Sequence, residues 1–135
     1  MEKKRILLID DEVTFTELLK LNLEQTGAYE VRVENKGAAA VAVARAFKPD
    51  LILLDIVMPD LDGGRVAAQL QADPRLADTP IVFLTAVVTK GEAKKHQGVI
   101  VGFPLIAKPV STDELIACIE RYAGKSPSIE MAQRG

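Results

Sequence analysis

The sequence has no tryptophan, one histidine, one cysteine and few aromatic residues (4%). A single cysteine, Cys118, excludes an internal disulfide and suits a reducing compartment. No apolar run approaches the roughly 20 residues needed to span a bilayer. The opening Met1-Glu2-Lys3-Lys4-Arg5 leads into an apolar stretch too short for a secretory signal core. Together these points make the cytoplasm the expected location. Neither sign of charge dominates: 17 basic and 19 acidic residues leave a net charge of −2, which gives no sign of a nucleic-acid or membrane surface. There is no internal repeat and no low-complexity tract.

What is present is ordinary globular material. With 48% apolar and 27% charged residues over 135 positions, the chain can bury one core without staples. Five short apolar runs recur, at Ile6–Ile9, Tyr29–Val33, Leu51–Leu54, Ile81–Leu84 and Leu105–Ala107. The first, third and fourth are continuous, as strands buried on both faces of a parallel sheet read. The second alternates Val31 and Val33 with charges, which suits an edge strand.

Helical patterns lie between these runs. Phe15, Leu18, Leu19 and Leu23 follow helical spacing before a stop at Gly27. Ala38 to Phe47 is rich in strong helix formers and ends before Pro49. Val66 to Ala72 reads as a third helix, stopped by Asp73-Pro74. Val88 to Gly98 has few apolar anchors and is expected as a short or mobile fourth helix. Ser111 and Glu114 form a capping box for a last helix that presents Leu115, Ile116 and Ile119 and closes at Gly124. The expectation is one α/β domain over residues 1–124 with a disordered polar tail at 125–135. Its architecture is a three-layer sandwich around a five-stranded parallel sheet of order 2-1-3-4-5, the flavodoxin-like arrangement.

The chemistry stands at the strand ends. Strand 1 runs into Asp10-Asp11, strand 3 into Asp55, strand 4 into Thr85 and strand 5 into Lys108. In an open parallel sheet these ends share one edge, where ligands bind. Two like charges about 4 Å apart cost roughly 4 kcal/mol at an effective dielectric of 20. Three carboxylates so placed call for a divalent cation, and all-oxygen ligands select a hard one such as Mg²⁺. Lys108 supplies a positive charge for a phosphoryl oxygen, Thr85 a hydroxyl donor, and Asp55 a carboxylate nucleophile able to form an acyl phosphate. The set reads as a phosphoryl-transfer site.

Five blocks in order carry a resemblance: Ile-Leu-Leu-Ile-Asp-Asp-Glu at 6–12, Asp-Leu-Ile-Leu-Leu-Asp at 50–55, Met-Pro-Asp-Leu-Asp-Gly at 58–63, Leu-Thr-Ala at 84–86 and Lys-Pro at 108–109. Over about residues 4–124 the chain resembles the receiver domains of bacterial response regulators, the CheY-like family. The resemblance implies a signalling phosphoacceptor rather than an enzyme. It assigns Asp55 as the phosphorylated residue, Asp11 as a direct Mg²⁺ ligand, Asp10 as holder of metal-bound water, and the Val57 carbonyl as a backbone ligand. Thr85 and Lys108 match the residues that contact the phosphoryl group, and Lys108-Pro109 matches a cis peptide of the family. Pro59 and Gly63 match the loop that shapes the site. The implied partners are a sensor histidine kinase or histidine phosphotransferase and a downstream protein, with a phosphorylation-dependent dimer left open. Where the family usually carries Tyr or Phe three residues before the lysine, this chain has Leu105, so the aromatic switch does not carry over.

Blander readings stand beside these. A single strand-end Asp is usually a helix cap, and only the joint pattern outweighs that. Cys118 reads as a small buried residue, His96 as an exposed helix residue, and Lys90, Lys94 and Lys95 as a solvated face with a minor prospect of docking a partner. Gly63-Gly64 reads as a helix entry, not a nucleotide loop. Val57 and Val87 stand two residues beyond Asp55 and Thr85 and cannot orient water by hydrogen bonding, which implies slow self-dephosphorylation. Three rival readings stay open: an unphosphorylated pseudo-receiver that only binds, a metal-dependent phosphohydrolase, for which no dedicated acid–base residue is found, and a fragment of a longer regulator.

Overall fold

The computed structural model describes residues 2–86, 103–108 and 110–123. Five parallel strands form one sheet in the order β2-β1-β3-β4-β5: β1 (Lys4–Ile9), β2 (Tyr29–Glu34), β3 (Leu51–Asp55), β4 (Ile81–Thr85) and β5 (Leu105–Ala107). The helices are α1 (Val13–Glu24), α2 (Ala40–Phe47, entered through a 3₁₀ turn at Gly37–Ala39), α3 (Gly63–Ala72) and α4 (Thr112–Tyr122). The expected strand order and sandwich are those observed.

The continuous apolar strands divide their side chains between two faces, because successive residues point to opposite sides. Leu7, Ile9, Ile52, Leu54, Ile81 and Phe83 pack with Ala44 and Phe47 of α2 and Val66 and Leu70 of α3. Ile6, Leu8, Leu51, Leu53, Val82 and Leu84 pack with Leu19 and Leu23 of α1 and Leu115 and Ile119 of α4. Register keeps each set together: Leu8 pairs with Leu53 and Leu53 with Val82, whereas Ile9 pairs with Leu54 and Leu54 with Phe83. Each fully buried aliphatic side chain contributes roughly 1.5–3 kcal/mol.

Three expectations need correction. Leu18 does not face the core; it is 55% exposed, and Thr16 takes an inward position instead. The stripe through Thr16, Leu19 and Leu23 sets the inner face, and Leu18 lies about a third of a turn away. The third helix begins at Gly63, three residues before Val66. The cause is a tight junction in which the Gly63 amide donates to the Ile56 carbonyl at 2.7 Å. The second helix starts as a 3₁₀ turn whose Gly37 and Ala38 amides donate to the Asp60 carboxylate at 3.2 and 3.0 Å.

The capping box at Ser111 and Glu114 forms as the sequence indicates, Ser111 accepting from the Glu114 amide. Gly27 has φ of 79°, the left-handed conformation that glycine adopts without a Cβ clash. Outside the described residues lie the expected fourth helix, Val87, Lys90, Lys94, Lys95 and His96, Pro109 with its peptide bond, Gly124 and the tail.

Gly63 is the tightest point. A Cβ there would meet the Asp55 carbonyl and lie 2.7 Å from Ile56 Cα. Gly63→Ala should therefore lower stability by about 1–3 kcal/mol, the usual cost of overpacking, read as a fall in the urea midpoint.

Candidate functional site

The site forms where β1 and β3 end side by side and their following helices leave on opposite faces, opening a crevice at the strand ends. Asp10 follows β1 and is held by its own amide, which donates to Glu34 O at 3.1 Å. Asn35 Nδ2 donates to the Asp10 carbonyl at 2.7 Å and to Thr16 Oγ1 at 3.1 Å, tying the β2 exit and α1 to the same point. Asp55 is the last residue of β3, Thr85 the last of β4, and Lys108 follows β5. The Lys108 amide donates to Thr85 O at 2.7 Å.

These elements bring the predicted acids together. One carboxylate oxygen from each of Asp10, Asp11 and Asp55 lies within 4.8 Å of the others. Asp10 is fully buried and Asp55 is 5% exposed, while Asp11 is half-buried. Lys108 Nζ reaches into this group, 2.6 Å from Asp10 Oδ2, 3.0 Å from Glu12 Oε1 and 3.9 Å from Asp55 Oδ1. Thr85 is buried next along the edge, and Val57 lies in the loop leaving β3, its side chain 62% exposed.

The electrostatics follow from burial. Loss of solvent pushes the Asp55 carboxyl up to about 7, and the Asp10 charge and, less strongly, the Asp11 charge add to the effect; Lys108 and the Val57 amide oppose it. Burial raises Asp10 as well, against the pull of Lys108 and the Glu12 amide. Burial draws the Lys108 ammonium down, but the carboxylates of Asp10, Glu12 and Asp55 outweigh it, and the net shift is upward.

The donor set fits a hard divalent cation. Three carboxylates converge, and Asp10 Oδ2 is a buried acceptor without an aligned hydrogen-bond donor. Its short contact with Lys108 is an ion pair without hydrogen-bond alignment. An oxygen ligand of this kind suits Mg²⁺ or Ca²⁺, not a thiophilic metal.

Sequence reasoning overlooked three residues here. Glu12 binds Lys108 and, through its amide, Asp10 Oδ1 at 2.9 Å. Phe15 places its ring 4.4 Å from Lys108 Nζ, a cation–π distance. Asn35 braces the Asp10 backbone. Glu12 carries a sequence signal, since it directly follows the acidic pair; the helical spacing of Phe15 signals only a core position.

A family model described as "Response regulator receiver domain" matches residues 6–120. The chain belongs to this family. It is 43% identical over 120 residues to the phosphate regulon transcriptional regulatory protein PhoB of Pseudomonas aeruginosa, an alignment covering 87% of this chain and 50% of that protein. It is 32% identical over 122 residues to the polar-differentiation response regulator DivK of Brucella anthropi, covering 90% of this chain and 97% of that one. The receiver thus spans about half the length of PhoB and nearly all of DivK. Among solved structures, the chemotaxis protein CheY4 of Vibrio cholerae superposes with a TM-score of 0.78 at 23% identity, covering 90% and 99% of the two chains; at that identity the likeness concerns the fold. Among the described residues no helix is long and apolar enough to cross a membrane.

The raised Asp55 carboxyl makes the metal-free receiver sensitive to pH. The folded protein holds a proton that the unfolded chain releases near pH 4, so this residue's favourable contribution is complete below about pH 4 and is lost as pH rises through about 7. Asp55→Asn should remove Asp55's share of that dependence and leave the share carried by Asp10, which burial also raises. In chelator-treated protein the variant should gain of the order of 4 kcal/mol over the parent at pH 8, at 1.36 kcal/mol per pH unit, and little near pH 4. Urea unfolding across that range is the measurement.

Proposed function

We propose that this receiver accepts a phosphoryl group on Asp55 from a phosphohistidine of a sensor kinase or phosphotransferase. The observation that carries the reading is the convergence of Asp10, Asp11, Asp55 and Lys108 from separate strands on one rim of the sheet. Asp10, Asp11, Asp55 and the carbonyl of Val57 would hold Mg²⁺. When bound, the cation neutralises negative charge on the transferring group and its acidic surroundings.

The chain's own residues do the rest. An Asp55 carboxylate oxygen forms the new bond to phosphorus as the phosphorus–nitrogen bond of the donor breaks, and the electron pair stays on the imidazole. Lys108 offsets charge on the transferred group, and Thr85 donates a hydrogen bond to one of its oxygens. Beside the buried acids, Val13 and Val57 are both more than half exposed, and their apolar side chains offer contact to a docking partner.

Phosphorylation then shifts an existing conformational equilibrium at the surface of β5 and α4, where Leu105, Ile106, Cys118 and Tyr122 line a groove. Output is by binding a downstream protein. Burial raises the Cys118 thiol to about 11, so it acts there as apolar lining rather than as a nucleophile.

Acetyl phosphate with Mg²⁺ should produce a covalent phosphate adduct, seen by intact mass. The adduct should disappear in Asp55→Asn and on chelation. Lys108→Met should slow its formation at least tenfold, the scale of losing one charge-stabilising group. A parent protein that takes up no phosphoryl group under these conditions would instead be a pseudo-receiver. The exposed Val57 also predicts a kinetic effect: Val57→Asn, which adds a group able to orient water, should shorten the adduct's lifetime in a decay assay.

A further inference from the structure

Lys108 has more partners than its expected role requires. Its ammonium carries three donors. In this structure it sits 2.6 Å from Asp10 Oδ2 and 3.0 Å from Glu12 Oε1, and is more distant, 3.9 Å, from Asp55 Oδ1. The lysine side chain is 9% exposed, so few alternative partners from solvent reach it. The Phe15 ring lies 4.4 Å away on another side.

The two acids that hold it differ in kind. Asp10 is fully buried and anchored through its backbone to Glu34 and Asn35. The Glu12 side chain is 60% exposed and contacts the site by its tip alone, while its amide is bonded to Asp10 Oδ1 at 2.9 Å. Asp10, Glu12 and Lys108 therefore close a small ring on the β1 side of the crevice. Within it, the Glu12 contact is the solvent-accessible one and the easiest to exchange.

We infer that Glu12 is a positioning residue that restrains Lys108 on the β1 side and so sets how readily the ammonium engages an anionic group on Asp55. This rests on the phosphoacceptor reading above. An incoming phosphoryl group competes with Glu12 for the same donor. Removing the Glu12 charge frees Lys108 without emptying the buried part of the site. The effect is modest, because an exposed ion pair is weak: roughly two- to fivefold in rate.

The test is Glu12→Gln, which keeps the side chain's shape, compared with the parent at saturating Mg²⁺ and with acetyl phosphate as donor. The variant should form the Asp55 adduct about two- to fivefold faster with an unchanged melting temperature. Combined with Lys108→Met, the gain should vanish. In the metal-free protein, the ¹⁵N signal of the Lys108 ammonium should show faster proton exchange once Glu12 is neutral, a readout independent of phosphorylation. An unchanged or slower rate overturns the inference. So does an equal gain in the Lys108→Met background, which would mark a simple effect of net charge. If the parent itself forms no adduct, the phosphoacceptor reading falls and takes this inference with it; a phosphorylatable parent with an unaltered variant sinks this inference alone.

Discussion

The structure is organised around one electrostatic conflict: three carboxylates meet at one rim, two of them, Asp10 and Asp55, shut away from water. Burial pushes each of this pair toward the protonated form, and the Asp10 charge adds to the effect on Asp55. A hydrophobic core alone would not tolerate them. Lys108 is what makes the arrangement tenable in the absence of a cation, lying within 4 Å of both. One positive charge cannot balance three negative ones, so a deficit remains for a divalent ion to fill. Under the proposed function, a bound metal and then an anionic ligand would relieve that imbalance.

The sheet pays for this conflict by its rigidity. The core residues of β1, β3 and β4 from Ile6 to Ile9, Leu51 to Leu54 and Val82 to Leu84 are inaccessible to solvent, and each strand end is fixed by pairing to a neighbour. The Ile56 amide donates to Leu84 O and the Gly63 amide to Ile56 O. The turn after Asp55 is thereby pinned between β4 and the start of α3, too closely for a side chain at Gly63. Asp60 extends the brace to the entry of α2 through two amides. A carboxylate that must stay where burial disfavours it needs this kind of over-determined backbone.

How much of this could be read from the sequence differs by level. The parallel sheet followed from continuous apolar runs, which only strands covered on both faces require, and the order from five strands alternating with helices, for which the doubly wound arrangement is the common solution. Asp10, Asp11, Asp55, Thr85 and Lys108 were identifiable since each stands where a strand stops. Glu12 was not given a role, because its part depends on where a lysine 96 positions away directs its ammonium, which no local pattern encodes. Helical spacing alone puts Leu18 inward, since a leucine fits it. A threonine holds an inward position because its hydroxyl accepts from Asn35, a tertiary contact invisible to hydropathy. The early start of α3 likewise depends on a close approach to β3 that only glycine permits.

The absence of an aromatic residue at Leu105 bears on how the site communicates with the β5 surface. Phe103, the nearest aromatic residue in sequence, packs edge-on against Phe83 with centroids 5.5 Å apart, so its ring is committed to the α2–α3 face of the core. Leu105 lies partly exposed on the strand and carries no group that could hydrogen-bond to Thr85. Communication then falls to the backbone. Phe83 N donates to Pro104 O, Lys108 N donates to Thr85 O, and Ile56 N donates to Leu84 O, so β3, β4 and β5 are laced together at the site and just before it. In the proposed phosphorylated state, a pull on Thr85 or Lys108 moves the ends of β4 and β5 as a unit. That displacement reaches α4 through Ile106, which packs with Leu84, Leu115 and Ile119. A side-chain rotation is thus not required for Asp55 to be felt at the groove between β5 and α4.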